Sequence, residues 1–145
     1  MPVSNRRKVL GVVIAVIVVA IPLMARSCAT TRDAAEAASL EFRMRIKSGA
    51  YGEIVLAATP ELRKSTSEAD FGKAMESVRD RLGVWQWSEE PTWKVFAGTG
   101  GQTVTLVYSS HFERGTATEE FVWLVRHGRP ALAGYHVKSS ALFAQ

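Results

Sequence analysis

Three hydrophobic patterns follow one another along this 145-residue chain. The first is unbroken: Val9 to Ala25 is seventeen positions without a charge, directly after Arg6-Arg7-Lys8. The second has helical period. Ala35, Ala38, Phe42 and Ile46 fall on one face and predict a helix over 30–47, stopped by Gly49. Tyr51, Ile54, Val55 and Ala58 repeat at i, i+3, i+4, i+7 and predict a short second helix. Thr59-Pro60-Glu61 then supplies an N-cap followed by Pro at the first helical position. A third helix starts at Ser67, with Asp70 three residues on, carries Phe71, Met75, Val78 and Leu82 on one face, and ends at Gly83.

The third pattern, after Gly83, alternates. Val84 to Trp87 and Thr92 to Ala97 read as short strands separated by Glu89-Glu90-Pro91, and Gly98 to Gly101 is a hairpin connection. Gln102 to Arg114 places Val104, Leu106, Tyr108 and Phe112 on one face. Thr116 to Arg126 does the same for Ala117, Phe121, Trp123 and Val125, and Ala131 to Lys138 follows the turn at 127–130. Three helices and then an antiparallel meander predict an α+β fold, with the helices on one face of the sheet.

The apolar run divides the chain into residues 1–29 and one domain over 30–145. A membrane span needs about 20 apolar residues, with a working range of roughly 17–25, so the run is just long enough to be a transmembrane helix. Signal-peptide apolar cores are shorter, roughly 7–15 residues, which favours a retained anchor. A cleaved signal instead fits Pro22 and the small residues Ser27 and Ala29, and lipid attachment would use Cys28. Ala25 and Arg26 depart from the residues a lipoprotein signal wants before its cysteine, so Cys28 reads best as a single juxtamembrane thiol.

Charge changes meaning once it is divided in the same way. The formal net charge is +4, yet Arg6, Arg7, Lys8 and Arg26 flank the run, and from Thr30 onward 14 Lys or Arg balance 14 Asp or Glu. That balance argues against a nucleic-acid partner, which would need a basic face. The basic cluster instead favours a cytoplasmic N-terminus, with the domain on the far side of the membrane.

The order of elements resembles the cone-shaped nuclear-transport-factor-2-like superfamily, also described as cystatin-like, over roughly residues 31–142. Gly49-Ala50-Tyr51 after the long helix, Arg81-Leu82-Gly83, Thr103 to Tyr108, Glu120 to Trp123 and Leu132 to His136 carry the likeness. Together they are similar to small bacterial families of unknown function that sit behind a signal or anchor. The resemblance implies a curved sheet enclosing a pocket. It also implies a single-pass protein of the bacterial inner membrane whose domain is periplasmic or extracellular.

Inward polar residues of such a cone would carry any activity. The candidates are Tyr108, Glu119, Tyr135 and His136, with His111 and Asp70 outside the main group. A tyrosine donor and a carboxylate or histidine base would make an isomerase or dehydratase pocket, as superfamily isomerases do. No two of these residues stand at a spacing that fixes their geometry. Tyr108 and Tyr135 lie in apolar alternations and read as core; His136, opposite in phase to Tyr135, reads as rim. Glu119 is the least ordinary of them: pointing inward with Ala117 and Phe121, it needs a partner, for which Arg114 or His111 could serve. Three histidines without cysteine or carboxylate spacing form no metal motif, and the pattern calls for no cofactor. Trp85 and Trp87, two apart on a short strand, would share a face and could line a partner surface. The sequence therefore points to a non-enzymatic interaction or small-ligand-binding module at a membrane, with a homodimer through the sheet face as one arrangement.

Overall fold

The computed structural model describes residues 29–143. The basic cluster, the run Val9 to Ala25, and Cys28 with the anchor, signal and lipid readings lie outside them. No helix among the described residues is long and apolar enough to cross a membrane.

Helix α1 covers residues 29–48. Its buried positions Thr31, Ala35, Ser39, Phe42 and Arg43 form one stripe, and the small residues in it let the helix lie close to the sheet. Gly49, at φ +74°, ends the helix. The Ala50 N–H donates to Arg45 O at 2.9 Å and the Gly49 N–H to Ile46 O at 3.1 Å, so two carbonyls of the last turn are satisfied beyond the helix.

Three further helices follow: α2 (Tyr51–Leu56), α3 (Pro60–Ser65) and α4 (Glu68–Leu82). Among the described residues the α-helices number four, where the sequence pattern predicts three. Thr59 caps α3 by accepting the Leu62 N–H, and Thr66 and Ser67 turn extended before α4, so Pro60–Ser65 is a helix of its own. Ser67 accepts the Asp70 N–H at 3.1 Å and donates to its carboxylate at 2.7 Å, which makes Asp70 a capping residue rather than a site residue.

Five antiparallel strands complete the fold: β1 (Trp85–Ser88), β2 (Thr92–Gly98), β3 (Gly101–Phe112), β4 (Gly115–Arg126) and β5 (Arg129–Lys138). β1 and β2 both pair with β3, one at each end, and β4 and β5 follow in order. His127 and Gly128, both at positive φ, close the β4–β5 hairpin, which leaves His127 a turn residue. α+β is thus the observed class, with helices packed against one face of an antiparallel sheet. Val104, Leu106, Phe121, Trp123 and Leu132 from that face form the core with Ala35, Phe42, Ile54 and Met75. The Trp123 indole N–H donates to Ser39 Oγ at 2.9 Å, joining α1 to the middle of the sheet. Phe96 lies on the opposite face, 73% exposed.

The passage from α4 to β1 depends on Gly83, at φ +78° and ψ −161°. A Cβ there would lie 2.7 Å from Glu113 Cβ, and Glu113 in turn accepts the Val84 N–H at 2.9 Å. Arg114 secures the same junction by donating to the carbonyls of Arg79, Asp80 and Arg81. Gly83→Ala therefore combines a backbone strain of about 1–3 kcal/mol with a steric clash, and urea denaturation is expected to show at least that loss of stability. An unchanged midpoint would mean that the junction relaxes freely.

Candidate functional site

Alternation along β4 turns Ala117, Glu119, Phe121, Trp123 and Val125 toward the helices. Glu119 is consequently a carboxylate in the core, with its side chain 2% exposed. Its partner is Arg43, 6% exposed, whose Nη2 and Nε donate to Oε2 at 2.8 and 3.1 Å. Neither residue expected for this role takes it. Arg114 is committed to the end of α4. His111 points to the other face, stacked on Trp87 at 3.7 Å between centroids.

Two further donors complete the carboxylate. Tyr135 Oη donates to Oε1 at 2.7 Å, and Ser110 Oγ donates to Oε2. A serine hydroxyl has a single proton and a carboxylate only accepts, so with the Ser110 proton directed at Glu119 the 2.7 Å contact between Ser88 and Ser110 must be donated by Ser88. Ser88 then accepts the Trp85 indole N–H at 2.8 Å. The result is a directed chain, Trp85 to Ser88 to Ser110 to Glu119, in which each donor is used once. The guanidinium of Arg43 is enclosed by rings: Tyr108 at 4.3 Å, Trp85 at 4.8 Å and Phe121 at 5.2 Å from its carbon to the centroids. Contacts within about 6 Å attract a cation to the ring face, and more strongly where water is excluded.

Beside this cluster lies a cavity of about 200 Å³, between the C-terminal half of α1, α4 and the β1 end of the sheet. Met44, Ile46, Met75, Val78 and Phe112 form apolar walls, while Arg43, Glu119, Trp85 and Tyr135 contribute the polar wall. Among the described residues no group of three His, Cys, Asp or Glu side chains is arranged to hold a metal.

Of the residues singled out in the sequence, Glu119 and Tyr135 come together, and Tyr108 joins them through Arg43. His136 is exposed on the opposite face, opposite Glu120. Trp85 and Trp87 do not share a face. Trp85 pairs with Phe112 but Trp87 with the adjacent His111, because a bulge at Gln86 interrupts the register. Trp85 therefore turns inward to Arg43, while Trp87 stays 52% exposed. Arg43 is not among the site candidates of the sequence, where a basic residue near a helix C-terminus already has a reason to exist. Its signal is the spacing Ala35, Ser39, Arg43, which continues a stripe of small buried residues.

Burial pushes the Tyr135 hydroxyl well above its ordinary value of 10.0, and the adjacent Glu119 charge and its hydrogen bond push it further. Tyr108 is raised too, chiefly by burial, with Arg43 opposing. Because the unfolded chain releases the Tyr135 proton near pH 10 and the folded chain keeps it, this contribution to stability is complete below pH 10 and is lost as pH rises beyond it. At neutral pH Tyr135→Phe is expected to lower stability by about 1.5–3 kcal/mol, the usual worth of a hydrogen bond to a charged group. In alkaline denaturation series the gap to wild type should then narrow above pH 10; a gap that stays constant would contradict this origin.

Comparison with protein-family models, with curated proteins and with solved structures finds no match to this chain.

Proposed function

We propose that residues 30–145 are a small-ligand-binding module, held by the apolar run 9–25 at a bacterial inner membrane with its N-terminus in the cytoplasm. The observation that supports binding is the cavity of about 200 Å³, with apolar walls and a polar cluster on one side. An apolar cavity of about 150 Å³ already accommodates benzene, so this one admits a molecule of roughly eight to ten heavy atoms.

Binding is favoured over turnover by how fully the polar cluster is used. An isomerase or dehydratase would need Glu119 to take a proton and a tyrosine to donate a hydrogen bond to substrate. Glu119 Oε2 already accepts from Arg43 and Ser110, and Oε1 from Tyr135. Acid–base work there would first require these bonds to separate. His136, the other candidate base, faces away. The resemblance to the nuclear-transport-factor-2-like superfamily is compatible with either role, since fold alone does not select chemistry. A homodimer through the sheet face would leave the cavity unobstructed.

Native mass spectrometry of the full-length chain, released from its own membrane in nanodiscs, tests this reading. The expected result is a 1:1 adduct of a small apolar molecule that is lost in Val78→Trp, where the larger side chain fills the cavity. An adduct-free chain in both forms would contradict it.

A further inference from the structure

The charged residues that line the cavity are Arg43, Lys47, Arg79 and Glu119. Arg43 and Glu119 neutralise each other. Lys47, at the end of α1, and Arg79, in the last turns of α4, remain; both are exposed, and neither has an ion-pair partner among the described residues. Among the described residues no other acidic side chain lines the cavity. The domain as a whole is charge-balanced, so the balance does not explain two cations beside an apolar cavity with no counter-charge.

We propose that the cavity binds a medium-chain anionic amphiphile, of the class of an alkyl carboxylate, with its chain between Met44, Met75, Val78 and Phe112 and its head between Lys47 and Arg79. This rests on the binding function proposed above and names the ligand class for the same site. Three physical points lead to it. The volume suits a chain of about eight carbons. The inner polar wall is the poorer place for the head group, because Arg43 Nε and Nη2, Ser110 and Tyr135 already donate to Glu119, and a second anion beside that carboxylate would be repelled. The head consequently belongs at the outer end, where the two free cations stand and where it keeps part of its hydration. Contacts at such exposure are individually modest, so two of them together amount to roughly a tenfold preference for the anion over a neutral analogue.

Methionine methyl NMR on the full-length chain in nanodiscs tests this, because Met44 and Met75 both line the cavity. The probes are octanoate and octanol, compared at matched free concentrations. The expected result is that both shift the Met44 and Met75 methyl signals, octanoate binding about tenfold more tightly, and that Lys47→Gln with Arg79→Gln brings octanoate down to the affinity of octanol. Equal affinities in the wild-type chain would overturn the anionic class and leave the binding function standing. A preference for octanoate that survives the double substitution would overturn the placement of the head. No shift with either probe would overturn the binding function itself.

Discussion

A guanidinium and a carboxylate withdrawn from water together impose the constraint on which this domain depends. Each ion gives up hydration worth several kcal/mol, and their attraction offsets that only if the remaining donors and acceptors find partners. Arg43 and Glu119 meet the condition by drawing on nearly every layer of the fold: α1 for the cation, β4 for the anion, β3 for Ser110, β5 for Tyr135, and β1 for Ser88 and Trp85. Such a pair does little for stability beyond what packed hydrocarbon would provide. It does specify position. A slide of α1 by one turn, about 5.4 Å, would keep an apolar stripe against the sheet but would leave two buried charges apart.

The same constraint shapes the cavity. Because Glu119 and Arg43 satisfy each other, the inner wall is polar yet chemically occupied, and the rings of Trp85, Tyr108 and Phe121 around the guanidinium shield it. The space beside it is left with apolar walls and with two cations that the ion pair does not use. An arrangement of this kind suits holding a molecule better than transforming one.

Much of the fold is legible in the chain because its elements obey local rules. The 3.6-residue period of Phe71, Met75, Val78 and Leu82, the cap at Ser67 and the stop at Gly49 each have a cause within a few residues, and the helices appear where those signals stand. The phase of β4 likewise places Glu119 inside by alternation alone. What escapes is set by contacts distant in sequence. Arg43 lies 76 positions from Glu119, and the basic end of a helix gives no hint that one cation turns inward. The bulge at Gln86 is a property of two paired strands, so strict alternation wrongly puts Trp85 beside Trp87. The helix from Pro60 has local signals as well, the caps at Thr59 and Ser67; what the chain does not show is that the Thr59 N–H is held by Leu132 O at 2.9 Å, which ties the start of that helix to the sheet.

A double-mutant cycle on Arg43 and Glu119 tests the central claim most directly, with stability read by urea denaturation of Arg43→Met, Glu119→Leu and the combined variant. Each single substitution strands a buried charge and should lose about 3–5 kcal/mol, while the combined variant, with no charge left to strand, should lose far less than the two together. Additive losses would contradict the claim, because they would mean that the two residues act independently and that the fold does not depend on their pairing.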